Sequence, residues 1–152
     1  MVSKRQALLD WLVADAGPLK TITELGGYEN TVSLVQRGQR DPDDLTDADY
    51  PFLFVSSTDE TREIITATQF TADLTVLIIG GIKSPNGVSG AHGEMDTLIA
   101  DVTKTLMTDH KQGGRCYFTN VERIRTDPGD IQAHALCFIE VKFKYATEGT
   151  VP

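Results

Sequence analysis

A short tripeptide, His92-Gly93-Glu94, is the first candidate for chemistry in this chain. It matches the His-x-Glu half of a zinc deaminase signature, in which the histidine binds zinc and the glutamate transfers protons. The other half, Pro-Cys-x-x-Cys, supplies the two thiolate ligands, and it does not follow. We therefore interpret the tripeptide as part of a glycine-flanked loop and predict no zinc site.

A cysteine nucleophile is the second candidate. Cys116 could act with His110 or His134 as its general base. However, both cysteines of the chain lie in strand-like segments, and Cys137 alternates in phase with Ile139. Small apolar thiols in such positions pack in cores. We therefore expect both cysteines to be buried, reduced and unreactive.

The polar stretch 37–49 is a candidate for calcium binding because it contains five aspartates, Asp41, Asp43, Asp44, Asp47 and Asp49. A calcium loop of the EF-hand type requires oxygen ligands and a turn glycine at fixed offsets, and Leu45 and Thr46 occupy those positions instead. The stretch is typical of a solvated acidic loop. Two basic residues, Arg37 and Arg40, begin it and are candidates for contact with a partner.

The glycines at 80, 81, 87, 90 and 93 do not form a phosphate-binding loop. No Gly-Lys-Ser/Thr opens a helix there, and the Gly-x-Gly-x-x-Gly pattern is absent. Residues 82–93 are therefore predicted to be a flexible loop. The sequence predicts no catalytic site, metal or cofactor.

Length and composition indicate one globular domain over residues 1–152. The chain is 40% hydrophobic and 24% charged, which is a globular rather than a disordered balance. Its net charge of −8 argues against a general nucleic-acid-binding surface. The longest apolar run, residues 76–79, is too short for a membrane span, and the N-terminus does not resemble a secretory signal. These features favour an intracellular protein that does not bind membranes.

Two helices follow from apolar periodicity. The first is predicted from a cap at Ser3 to about residue 15, where Gly17-Pro18 ends it, with an apolar stripe of Ala7, Leu8, Trp11 and Leu12. The second shows apolar residues at three- and four-residue steps, namely Met95, Leu98, Ile99, Val102 and Leu106. On this second helix, Thr97, Asp101, Lys104 and Thr108 are predicted to face away from the core.

Strands are predicted over residues 19–25, 30–35, 52–55, 62–70 and 74–82, the last buried on both faces. A closing hairpin over residues 115–125 and 131–145 flanks a type II turn at 127–130. The fold class is therefore predicted to be α+β, a mainly antiparallel sheet with two helices packed on one face.

The last strand carries the most informative pattern. Every odd position from 131 to 145 is apolar or aromatic, and the even positions are mostly polar, which predicts one core face and one wet face. Leu136 and Phe138 interrupt the wet face. They form either an exposed apolar patch at a subunit interface or a patch that a loop covers within the monomer.

The order of these segments resembles the tail terminator proteins of tailed bacteriophages, the lambda-type minor tail protein U and its relatives. The resemblance covers nearly the whole chain and lies in the order and texture of the elements. It is found in the segments Arg5-Gln6-Ala7-Leu8-Leu9-Asp10-Trp11-Leu12, Leu19-Lys20-Thr21-Ile22, Asn30-Thr31-Val32-Ser33-Leu34-Val35, Tyr50-Pro51-Phe52-Leu53-Phe54-Val55, residues 74–82, residues 98–106 and the closing hairpin.

This resemblance implies a structural virion protein without an active site. Members of the family form a hexameric homo-oligomeric ring that caps the tail tube and joins it to the head or neck. The implied partners are further copies of the chain, the tail tube protein and the head–tail connector or neck proteins. DNA would pass through the ring without sequence-specific contacts. The implied location is the tail or neck of the virion, after assembly in the host cytoplasm.

The residues leave other functions open. A head-completion or other neck protein would have the same texture. A small ligand-binding regulatory α+β domain should show an apolar pocket with convergent polar groups. An enzyme with a thiol or carboxylate mechanism should show a group with a perturbed pKa in a cleft. From the residues alone, the candidate interface comprises Leu136, Phe138, Arg37 and Arg40.

Overall fold

A computed structural model describes the chain over residues 3–41, 44–84, 87–127 and 134–148. Over these ranges the elements are, in chain order, α1 (Lys4–Val13), β1 (Leu34–Arg37), a 3-10 turn (Asp47–Asp49), β2 (Phe52–Thr66), β3 (Gln69–Lys83), α2 (Gly87–Thr108), β4 (Phe118–Asp127) and β5 (His134–Glu148). Ser3 caps α1 as predicted, because its hydroxyl accepts a hydrogen bond of 3.1 Å from the backbone N–H of Gln6.

The five strands form one sheet in the order β1-β2-β3-β5-β4. β1 pairs with β2 in parallel, and the other three pairs are antiparallel. Both helices contribute to a single apolar core on one side of this sheet. The predicted class, α+β with a mainly antiparallel sheet and two helices on one face, is confirmed.

The helix-covered face of the sheet holds the main core. α1 lies against β1 and β2, and α2 lies against β3, β5 and β4. The odd residues of β5 point into this core, and Ala135, Cys137, Ile139, Val141, Phe143 and Tyr145 are all buried. Both helices contribute apolar stripes, Leu8, Leu9 and Leu12 from α1 and Met95, Leu98, Val102 and Leu106 from α2. The alternation predicted for the last strand is thus confirmed from residue 135 to residue 145, its first positions lying outside the described ranges, and the stripe of α2 is confirmed as well.

The opposite side of the sheet, which we call the open face, has a smaller apolar cluster. Phe52, Phe54 and Ile79 are buried there, although no helix covers them. The Phe52 ring packs directly on Gly81, where an added Cβ would lie 2.0 Å from a ring carbon. Glycine at 81 is therefore required by this close approach.

The strand predicted over residues 19–25 is wrong. This segment forms turns, in which Leu19 and Ile22 are buried at a spacing of three residues rather than alternating. Backbone hydrogen bonds from Ile22 to Leu19 and from Gly26 to Thr23 close these turns. The strand predicted over 30–35 is displaced, because only β1 (Leu34–Arg37) pairs with a neighbour.

The two strands predicted over 52–55 and 62–70 are one continuous strand followed by a turn. β2 runs through the polar residues 56–61, and the chain reverses at residues 67–68 into β3. Within this stretch Thr58, Asp59 and Thr61 are exposed, and pairing with β3 rather than burial keeps them in the strand. The predicted order of seven strands thus reduces to five.

The loop predicted over 82–93 is also wrong, because α2 begins at Gly87. Ala91 and Met95 are buried against the sheet, so packing extends the helix through a glycine-rich sequence. Gly113 and Gly114 follow α2 and have φ of 66° and 84°, in the left-handed region that favours glycine. Residues 128–130 of the turn predicted at 127–130 lie outside the described ranges.

The polar side of α2 is partly buried, contrary to the prediction. Asp101 is 4% exposed, and its carboxylate accepts hydrogen bonds from the backbone N–H groups of Glu29 and Asn30. Lys104 lies 4.9 Å from the ring centroid of Tyr28 and donates to the carbonyl of Gly27. The segment before β1 therefore covers this side of the helix.

Candidate assembly surfaces

Leu136 and Phe138 lie on the open face of β5, as the alternation predicted. Both are half-buried, and both pack at the margin of the cluster of Phe52, Phe54 and Ile79. Leu45 and Tyr50, from the loop after β1, pack against the same cluster. The guanidinium of Arg125 on β4 lies 5.8 Å from the ring centroid of Phe138. Leu136 and Phe138 are therefore partly buried within the monomer and partly exposed on its surface.

The two predicted basic interface residues lie elsewhere. Arg37 is the last residue of β1, and its guanidinium forms a 3.3 Å ion pair with Asp10 of α1. Arg40 is exposed in the loop that follows. Because β1 and β5 are separated by β2 and β3, the structure does not bring these arginines to Leu136 and Phe138.

An arm formed by residues 58–72 exposes two adjacent large apolar side chains. Within it, β2 and β3 pair with each other from Asp59 opposite Thr75 to Thr66 opposite Gln69, and residues 61–69 are all exposed. Ile64 is 81% exposed and Ile65 is 58% exposed. Sequence reasoning missed this feature, although two adjacent isoleucines among charged and threonine residues are the signal that could have found it.

The root of the arm is held by a group of charged residues. Glu60 accepts a hydrogen bond from the Tyr145 hydroxyl of β5, and it forms ion pairs of 2.9 Å with Arg62 and 3.9 Å with Arg5 of α1. The Arg5 guanidinium also donates to the Ser57 hydroxyl at 2.9 Å. These contacts fix the direction in which the arm leaves the core.

Proton equilibria at this root follow from the same contacts. Desolvation alone would raise the pKa of Glu60, but the hydrogen bonds from Tyr145 and Arg62 and the charges of Arg62 and Arg5 outweigh it, so the pKa is lowered from its ordinary value of 4.5. Burial, and then the bond to the Glu60 carboxylate, raise the pKa of Tyr145 well above its ordinary range. Glu60 is therefore held as a carboxylate and Tyr145 as a neutral donor.

We expect acid to remove the stabilisation that Glu60 provides. Because its pKa is lower in the folded state, this stabilisation is complete above pH 4.5 and is lost as the pH falls through the folded-state value. Glu60→Gln should therefore be less stable than the wild type near neutral pH, and the difference should shrink in acid. Denaturant unfolding at about pH 7 and about pH 3 measures both differences.

The matched control for this prediction is Glu63→Gln, an exposed position on the same strand for which the described residues provide no ion pair. Glu63→Gln should leave the free energy of unfolding of the dissociated monomer nearly unchanged at both pH values. Equal effects of the two substitutions would contradict a specific role of Glu60 at the arm root.

The outer edge of β4 is a second surface with exposed apolar side chains. Tyr117 and Phe118 at its start are 60% and 51% exposed, and Ile124 is 42% exposed. Glu122 is paired with Lys142 of β5 at 3.2 Å, whereas no described residue forms an ion pair with Arg123 or Arg125. This edge therefore combines exposed apolar side chains with two arginines that form no ion pair with a described residue.

The residues considered for catalysis do not converge. The Cys116 thiol lies 3.4 Å from the backbone oxygen of His110, and burial raises its pKa. Burial raises the pKa of Cys137 to about 11, consistent with the predicted core position. His92 is exposed, and the carboxylate of Glu94 accepts a hydrogen bond from Ser84. Within the described ranges, no group of three or more histidine, cysteine, aspartate or glutamate residues has metal-binding geometry.

One cavity is partly apolar and lies beside the start of α1. It has a volume of about 250 Å³ and is lined by Ala7, Cys116, Tyr117 and Tyr145, with Lys4 and Arg115 as its cations. Lys4 donates to the carbonyl of Ala146, and Arg115 donates to the carbonyl of Gln112 while stacking 4.1 Å from the Trp11 ring centroid. Both cations are thus already engaged by the protein.

The chain matches no protein-family model and no curated protein sequence. Among the helices in the described ranges, none has both the length and the apolar composition needed to cross a membrane. The arm and the β4 edge are therefore the surfaces from which a function is inferred.

Proposed function

We propose that this protein is a structural component of a tailed-bacteriophage virion, a tail terminator. Its copies assemble into a closed ring, a hexamer, at the head-proximal end of the tail tube. The ring contacts the tail tube protein on one side and head–tail connector or neck proteins on the other. DNA passes through it without sequence-specific recognition.

The observation that carries this proposal is the arm. β5 pairs with β3 as far as Gln69, but at the tip of the β2–β3 hairpin Ile64 and Ile65 remain 81% and 58% exposed. Burying an isoleucine side chain contributes about 1.5–3 kcal/mol of stabilising free energy. The exposed isoleucines of the arm gain this stabilisation only when a partner covers them. An arm of this kind is the expected feature of a subunit that functions by assembly.

The order of elements also supports the proposal. α1, the proline-led strand β2, the long strand β3, the helix α2 and the closing pair β4 and β5 occur in the order on which the resemblance to tail terminators is based, whereas the strand at residues 19–22 that also entered the resemblance is a turn segment. The net charge of −8 suits a ring that lets DNA pass without binding it tightly.

The proposal is tested by locating the protein in intact particles. Electron microscopy with a labelled copy of the chain should show a six-membered ring where the tail meets the head. A head-completion or neck protein would occupy a different level of the particle, so the position separates these two functions. The proposal fails if the chain is absent from the head-proximal end of the tail or is present there in a form other than a ring.

Removing the protein should also abolish the control of tail length and the joining of tails to heads. Particles assembled without it should yield tails of irregular length that do not join heads, while heads and baseplates form normally. Tails of normal length in its absence would contradict the terminator function specifically.

A further inference from the structure

Two long strand edges have no neighbouring strand in the described sheet. One is the outer edge of β4 (Phe118–Asp127), which is the last strand in the sheet order. The other is the arm part of β2, because β1 pairs only with residues 52–55 and leaves residues 56–66 uncovered on that side. Such edges expose backbone donors and acceptors and template pairing with another chain unless something covers them. The two strand edges border opposite ends of the strand order, so they cannot pair with each other within one molecule.

The side chains of the two edges match on each face of the sheet. The arm presents Ile64 on the helix-covered face, because its partner Phe70 lies on the same face of β3 as Leu74. β4 presents Ile124 on that face, because it pairs with the core residue Ile139. Both isoleucines are exposed, at 81% and 42%. An apolar residue on one edge thus has an apolar counterpart on the other.

On the open face the match is one of charge. The arm edge presents Asp59 and Glu63 there, opposite Thr75 and Thr71 of β3. The β4 edge presents Arg123 and Arg125, opposite Glu140 and Phe138 of β5. None of these four charged side chains forms an ion pair with a described residue, so on this face the arm edge presents two carboxylates and the β4 edge presents two arginines, followed by Asp127.

Strand direction is compatible with this match. β2 and β4 are antiparallel to each other, because β2, β3, β5 and β4 alternate in direction across the sheet. A second copy placed in the same orientation beside the first therefore brings its arm edge antiparallel to β4, with both faces continued. In an antiparallel register that places Ile64 opposite Ile124, Glu63 stands opposite Arg125.

The geometry points to β4 of one copy pairing with the arm edge of β2 in the next copy, which continues the sheet from subunit to subunit. The contact joins two different surfaces and leaves one of each free, so it propagates head to tail and closes into a ring when the rotation between copies permits. This inference rests on the proposed ring and specifies which surfaces close it. β-strand addition of this kind derives affinity from backbone hydrogen bonds and specificity from the flanking side chains.

A disulfide between the two edges tests the inference directly. The variant with Ile64→Cys and Ile124→Cys should form bonds between subunits on mild oxidation of assembled particles, giving a ladder of covalent oligomers on denaturing gels. The two positions in one chain are three strands apart, and they are also offset along the strands, because Ile64 aligns with Phe70 of β3 and Ile124 with Ile78, so no disulfide joins them within one chain. The native Cys116 and Cys137 are buried. The matched control carries Ile64→Cys with Asn120→Cys, four residues along β4, and should give no ladder.

A charge exchange provides a second, independent test. Glu63→Arg or Arg125→Glu alone should weaken self-association by about tenfold or more, and the two combined should restore it. Glu24→Arg, an exposed reversal outside both edges, should have no effect.

The outcomes of these tests separate the two proposals. If a ring is seen at the tail end but neither the ladder nor the rescue appears, the inferred edge pairing is wrong while the ring stands. If no ring exists at that position, the proposed function itself fails.

Discussion

Replacing Asp101 by alanine is expected to lower the free energy of unfolding by about 3 kcal/mol. The carboxylate is 4% exposed and accepts hydrogen bonds of 3.2 Å from the Glu29 N–H and 2.9 Å each from the backbone and side-chain N–H groups of Asn30. Hydrogen bonds to a charged group contribute about 1.5–3 kcal/mol each, and their loss would leave buried donors without partners. Thermal or denaturant unfolding measures the effect.

The matched control for Asp101 is Asp96→Ala, an exposed aspartate on the same helix. It should change the free energy of unfolding by less than about 0.5 kcal/mol. Hydrogen exchange should also show that Asp101→Ala frees the amides of Glu29 and Asn30 before the rest of the fold. Protection of these amides in the variant would contradict the role assigned to Asp101.

Replacing Leu98 by alanine is expected to have an effect of comparable size, about 2–5 kcal/mol. Leu98 is fully buried, and it packs below Gly80 of β3, where an added Cβ would lie 3.2 Å from a Leu98 methyl carbon. The truncation leaves a cavity between α2 and the centre of the sheet, which the flanking strands fill only partly. For a domain of this size the melting temperature should fall by roughly 5–20 °C.

The matched control for Leu98 is Met107→Ala, a large apolar residue of the same helix that is 44% exposed. It should lower the melting temperature only slightly. Comparable losses from the two substitutions would show that α2 packs on the sheet through a different face.

Sequence periodicity correctly predicted the elements that bury one face in the core and expose the other. The stripe of α2 and the alternation of β5 were read correctly because each element buries one side and leaves the other wet. The same alternation placed Leu136 and Phe138 on the open face, where they lie. Residues 19–25 imitate a strand because Leu19 and Ile22 are apolar, and only the turn hydrogen bonds reveal otherwise.

The remaining features depend on contacts between distant parts of the chain. The role of Asp101 was missed because its partner Asn30 is 71 residues away in the sequence. The arm was missed because residues 56–61 are polar, and pairing with β3 rather than burial makes them a strand. The uncovered edges of β2 and β4 follow from strand order, which local patterns do not encode.

The central position of β5 has a consequence for synthesis on the ribosome. β5 is the last strand along the chain, yet it lies between β3 and β4 and pairs with β3 from Gln69 to Lys83. Translation at about 5–20 residues per second leaves the β3 edge bare for on the order of 3–13 s, until Glu148 is made. The nascent hairpin of β2 and β3 therefore exposes an apolar strand before its partner exists. Expression yield should consequently depend on host chaperones that hold unpaired strands, even though the finished domain needs no such help.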